Sequence, residues 1–230
     1  MKKYSKKYVA AAKKVDSSKV YSIEEAVKLA KETSVTKFDS SVGVSMKLNV
    51  NPTLADQLIR GTISLPHGTG KTRTVLALTR NKQEEAKAAG ADFVGDVDML
   101  EKIKTENWFG FDVIVCTPDM MGELGKMGRL LGPKGLMPNP KTGTVTPEIG
   151  NAVKEIKQGK ISYRVDKNGN LNVGCGRVSF SEGDLAENVL AFVDQIQKAR
   201  PSTVKGTYVK TCVLHTTMGP GINFTYAGRN

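Results

Sequence analysis

The sequence predicts an α/β chain of two domains, with the second domain inserted into the first. Three observations carry that expectation. Near both ends, hydrophobic and polar residues alternate in strand-like runs, so those strands bury one face and leave the other free. In the middle, short runs that are apolar throughout alternate with helical segments, the mark of a parallel sheet covered on both sides. The charge divides the same way. The 230 residues carry a formal net charge of +11. Residues 1–67 hold 12 Lys and Arg against 6 Asp and Glu, residues 160–230 hold 9 against 5, and residues 68–159 hold 13 against 12. The two ends thus carry +10 of the +11. The first domain is therefore expected from 1–67 and 160–230, an α+β unit with helices on an antiparallel sheet built from both termini. The second is expected from 68–159, an inserted, doubly wound α/β domain. A basic tail is the competing explanation of the charge, since Lys2, Lys3, Lys6, Lys7, Lys13 and Lys14 lie close together.

The elements follow in order. Ser22 and Glu25 form a capping box that opens the helix "SIEEAVKLAKE". Residues 41–50, "SVGVSMKLNV", alternate strictly. Val42, Val44, Met46, Leu48 and Val50 share one face, and Ser41, Gly43, Ser45, Lys47 and Asn49 share the other. Asn51-Pro52 is expected to start a short helix reaching about Arg60. "GTISLP" reads as a strand. In the middle, "TVLALT", "ADFVG" and "DVIVCT" read as strands, "KQEEAKAAG" and "DVDMLEKIKTEN" as helices. A long loop rich in Gly, Pro and Lys is expected over 114–145, with Lys126, Arg129, Lys134 and Lys141 making it basic. After Gly159, "KISYRVDKNGNLNVGCGRVSF" reads as a hairpin turning at Asn168-Gly169. Ser181 and Asp184 open an amphipathic helix that ends before Pro201, with Leu185, Val189, Phe192, Val193 and Ile196 on one stripe. Finally "GTYVKTCVLHTTMGPGINF" is a strand running into a turn at "MGPG".

The stretch "SLPHGTGKTRTV" (64–75) imitates a phosphate-binding loop, because Gly70-Lys71-Thr72 is how such a loop ends. The first glycine is missing, however. Leu65 stands in its place, and Pro66 after it has no N–H to give a phosphate. A β-branched run follows where a helix is needed. The glycines and proline instead suit a crossing between domains, with the return crossing near Gly159-Lys160. No stretch approaches the ~20 apolar residues of a membrane-spanning helix, and the N-terminal lysines precede no apolar segment of a signal peptide. The three cysteines, Cys116, Cys175 and Cys212, are unevenly spaced, and Cys116 and Cys212 read as small buried hydrophobes in a reducing cytosol. Two histidines and no Cys-x-x-Cys leave no expected metal site and no expected cofactor. A basic excess of this size points to nucleic acid or another acidic surface.

The segment "IVCTPDMMGELGKMGRLLGPKGLMPNPKTGTV" (114–145) strongly resembles the signature of the universal large-subunit ribosomal protein L-one family, in its bacterial form. The resemblance runs through "KFDSSVGVSMKL" (37–48), "RGTISLPHGTGK" (60–71), "AGADFVG" (89–95), "KGTYVK" (205–210) and "TTMGPGI" (216–222). It implies a two-domain fold with an inserted Rossmann-like, three-layer α/β domain. It implies a cytoplasmic, ribosome-bound monomer that is not an enzyme. The implied partners are the ribosomal RNA stalk of the large subunit, deacylated tRNA in the neighbouring exit site, and the messenger RNA of its own operon, which it would repress.

A polar strand face carrying hydroxyls and a lysine suits folded RNA, whose riboses and phosphates offer 2′-OH and oxygen partners. Carried onto matching positions, the family's RNA contacts fall on Lys37, Phe38, Ser41, Lys47, Thr211, Thr217, Met218 and Gly219, with Asp166 and Lys167 as weaker candidates. Phe38 is equally readable as a core aromatic, Met218 taken alone reads as core and only its place in "TTMG" argues otherwise, and Gly219 reads as a place where an RNA backbone comes close. The chain departs from common family forms at Ser40 and Gly43, where acids are frequent, which would remove negative charge near the RNA face. The alternative function is a nucleotide- or phosphate-binding enzyme that uses the inserted domain.

Overall fold

The computed structural model describes residues 4–54 and 56–225. In chain order, the first elements are α1 (Lys6–Ala12), α2 (Ile23–Glu32), β1 (Ser41–Leu48) and β2 (Arg60–Ser64). Then come β3 (Val75–Leu78), α3 (Gln83–Ala88), β4 (Phe93–Gly95), α4 (Val97–Glu106) and β5 (Val113–Cys116). After these lie α5 (Met121–Lys126), α6 (Gly128–Leu131) and α7 (Ile149–Lys157). The chain closes with β6 (Lys160–Arg164), β7 (Asn170–Arg177), α8 (Glu182–Lys198), β8 (Val209–Thr216) and β9 (Gly221–Asn223). It divides into two compact units, residues 1–70 with 163–230, and residues 71–162.

The first unit is a four-stranded antiparallel sheet in the order β7-β1-β8-β9. Alternation in β1 does what period two requires. Val42, Val44, Met46 and Leu48 are all within 1% of full burial, while Ser41, Gly43, Ser45 and Lys47 keep contact with solvent. Two helices cover the apolar face. Ser22 starts α2 through the capping box, its Oγ accepting the Glu25 N–H while the Glu25 carboxylate accepts the Ser22 N–H. Ser181 caps α8 by accepting the Asp184 N–H. The α8 stripe Leu185, Val189, Phe192, Val193 and Ile196 is buried. Deleting the Phe192 ring would cost about 3–5 kcal/mol, because the cavity adds to the lost transfer energy.

The second unit is a three-stranded parallel sheet in the order β4-β3-β5, with β3 buried along its whole length. It is three-layered because β3 points alternate residues to opposite sides. Val75 and Ala77 pack with Ile149, Val153 and Ile156 of α7 and Ala86 of α3. Leu76 and Leu78 pack with Leu100 and Ile103 of α4, and with Met120, Leu124 and Leu131.

Four local expectations need correcting. Residues 51–59 form turns among the described residues, not a helix, because the Asn51 side chain accepts the Thr53 N–H and hydroxyl and closes a turn instead. Within the segment 114–145, residues 118–131 are helical, since Met120, Leu124, Met127 and Leu131 recur at helical spacing and bury against the sheet. The turn at Asn168-Gly169 forms, but its flanking strands part company. β6 pairs with β2, and β7 with β1. The helices α1 and α7 were not expected. The stretch 64–75 is a connection: Gly68 and Gly70 have φ of 65° and 68°, where a side chain would be strained.

Candidate nucleic-acid interface

The free face of the four-stranded sheet carries Ser41, Lys47 and Thr211, and the other candidates lie in the loops at its ends. At one end, Ser41 begins β1 and faces the turn after β8. The Ser41 N–H donates to Thr217 Oγ1 at 3.2 Å, and the Thr217 N–H donates to the Ser41 carbonyl at 3.0 Å. These bonds hold Thr216–Gly219 as a defined turn, closed by the Gly219 N–H on the Thr216 carbonyl. Met218 at its tip has φ 61° and is 72% exposed. Met218 is the third residue of the turn closed from Thr216 to Gly219, and the turn itself sets its left-handed φ, a position that glycine fills with less strain. Gly219 has an internal reason to be glycine, since a Cβ there would lie 2.2 Å from Thr216 Oγ1.

Phe38 precedes β1 and is 59% exposed, so neither it nor Met218 is a core residue. Lys37 beside it is exposed. The loop that presents them is anchored by Asp39, whose carboxylate accepts the Ser179 N–H and hydroxyl and whose carbonyl accepts from Arg177 Nη1 at 2.9 Å. Ser40 does not lie on the face. It is fully buried, with its hydroxyl bonded to those of Ser34 and Thr36, so an acid there would need a different surrounding.

Lys47 and Thr211 sit opposite each other at the other end, and Lys47 Nζ donates to the Asn168 carbonyl. Asp166 shapes the adjoining turn. Its carboxylate accepts the Asn168 and Asn170 N–H groups at 2.8 Å each, and these bonds, the Asn170 N–H foremost, hold its pKa below the usual carboxylate range. Lys167 is exposed in that turn. With six residue steps from Ser41 to Lys47 at roughly 3.3 Å each, the two residues lie about 20 Å apart on one face. Asn172, Val213 and His215 share that face between them. Period-two alternation through Thr211, Val213, His215 and Thr217 would have found the last two.

The second unit offers no comparable chemistry. Lys71 pairs with Asp112 at 3.6 Å, and a strand follows it. Among the described residues no group of His, Cys, Asp and Glu could hold a metal ion. All three cysteines are buried, and burial pushes the Cys116 and Cys175 thiols up to about 12. Among the described residues no helix is long and apolar enough to cross a membrane.

Fold and site together define a two-unit α/β protein with a polar, lysine-bearing sheet face. The model of the ribosomal protein L1p/L10e family matches residues 30–220. The chain is also 53% identical over 226 residues to the large ribosomal subunit protein uL1 of Mycoplasma capricolum subsp. capricolum, covering 98% of this chain and 100% of that one. The chain belongs to the ribosomal protein L1p/L10e family, and it is not an enzyme. The nucleotide-using alternative is thereby set aside.

Proposed function

We propose that the chain is a constituent of the large ribosomal subunit that binds the ribosomal RNA stalk through the free face of its four-stranded sheet. The observation that carries this is the internally braced turn at Thr217 with exposed Met218 at its tip, together with exposed Phe38 on the loop leading into Ser41, which Thr217 bonds. Two apolar side chains are held in solvent next to hydroxyls, an arrangement that serves a ligand and not the core. Ser41, Lys47 and Thr211 extend the contact along the sheet, and Lys37 and Lys167 add charge for phosphates. In the same reading the protein acts in the cytoplasm, on the ribosome, and as a monomer when free. It helps release deacylated tRNA from the exit site and represses its own messenger RNA through a stalk-like structure. Binding of the purified protein to a transcript of the ribosomal RNA stalk tests the reading. Submicromolar affinity that falls steeply with salt is expected; failure to bind at low salt overturns it.

A further inference from the structure

Midway between the two ends of this face, one row of residues stands apart. In register across the four strands it reads Gly174 on β7, Gly43 on β1, His215 on β8 and Gly221 on β9. His215 is the single side chain in the row. Its ring leans over β1, so that a Cβ at Gly43 would lie 2.8 Å from His215 Cε1. His215 Nδ1 is enclosed and has no hydrogen-bond partner among the described residues. Nε2, on the other side of Cε1, is not enclosed in this way. It is the ring nitrogen left for a ligand.

Gly43 and Gly221 have neighbours that explain them, His215 and Val213. Gly174 has none. A Cβ there would meet nothing within 4 Å, and its backbone is not in the left-handed region. Glycine inside a strand marks either a bulge or a place where another backbone comes close, and the open space over Gly174 leaves room for the second. An RNA that touches both Met218 and Lys47 has to pass over this row, and the missing side chains let it pass low.

We propose that His215 is a further RNA-contacting residue. The sugar–phosphate backbone passes over the sheet at this row, and Nε2 hydrogen-bonds one of its oxygens, a 2′-hydroxyl or a phosphate. The inference rests on the sheet face being the RNA site. The test is equilibrium binding of a stalk ribosomal RNA transcript to the full chain and to two variants, with melting temperatures measured alongside. His215→Ala should weaken binding about five- to tenfold, the size of one hydrogen bond. Gly174→Val should weaken it at least as much, and its melting temperature shows whether the adjoining bulge accepts the side chain. A merely structural glycine would move both quantities downward, and His215→Ala alone then decides. If the parent binds and His215→Ala binds within twofold of it, this inference is overturned while the RNA reading stands. If the parent does not bind, the RNA reading falls and takes this inference with it.

Discussion

Ser41 and Thr217 are tied by reciprocal bonds, the Ser41 N–H to the Thr217 hydroxyl and the Thr217 N–H to the Ser41 carbonyl, across the end of the β1–β8 pair. The Thr217 hydroxyl therefore serves the protein before it serves any ligand. It fixes the turn that holds Met218 in solvent.

Thr217→Ala should loosen that turn and weaken stalk RNA binding roughly five- to hundredfold, the range set by about 1–3 kcal/mol for a lost hydrogen bond. Thr217→Ser should recover most of it. Met218→Gly should also weaken binding, yet leave stability unchanged or raised by up to ~1 kcal/mol, since a side chain at φ 61° is strained. Binding titrations together with urea unfolding check both statements. Full RNA affinity in Thr217→Ala and Met218→Gly would remove this turn from the site.

The inserted unit should be dispensable for RNA binding. Joining residue 70 to residue 163 through a short glycine linker removes 71–162 and keeps the whole four-stranded sheet. The remainder should fold and bind stalk RNA within about tenfold of the parent, or 1.4 kcal/mol. A thousandfold loss in a well-folded truncated protein would mean that Lys126, Arg129, Lys134 or Lys141 supplies principal contacts.

No nucleotide should bind at Lys71. Asp112 already pairs with it, and the Asp112 carboxylate is held below the usual range first by the Thr74 backbone N–H. Saturating Mg-ATP should leave the melting temperature unchanged. A bound ligand at a hundred times its dissociation constant would add about 2.7 kcal/mol, so a rise of several degrees that Lys71→Ala abolishes would contradict this.

His67 predicts a pH dependence. Its Nε2 lies 2.7 Å from Glu187, and Nδ1 lies 3.7 Å from Asp184, both on α8. The Glu187 hydrogen bond raises its pKa above the ordinary 6.5, against a smaller opposing effect of burial. A raised histidine stabilises the fold fully below about pH 6.5 and loses that contribution as pH rises through the folded-state value. The parent should therefore lose more thermal stability between pH 6 and 8, on the order of a degree or two, than His67→Gln does. Parallel stability curves for the two proteins would show that the contact contributes nothing.

Much of the fold was legible because it is written in short-range patterns. The strict alternation in β1, the capping box at Ser22 and Glu25, and the continuous apolar run of β3 each specify an element within a few residues. The inside and outside faces of β1 followed from period two alone. The sequence also carried the family resemblance, since colinear motifs survive without knowledge of their contacts. Pairing partners were another matter. The turn at Asn168-Gly169 is local, but whether β7 joins β6 or β1 depends on which apolar faces meet across more than a hundred residues of chain. The helices over 118–131 were hidden by glycines and prolines, and burial of Met120, Leu124 and Leu131 against the sheet overrode those weak propensities. Exposure was undecidable for the same reason. Phe38 and Met218 look like core residues by type, and Ser40 looks like a surface residue. Only tertiary packing, which selects by the space and partners around each side chain, put the first two in water and the third inside.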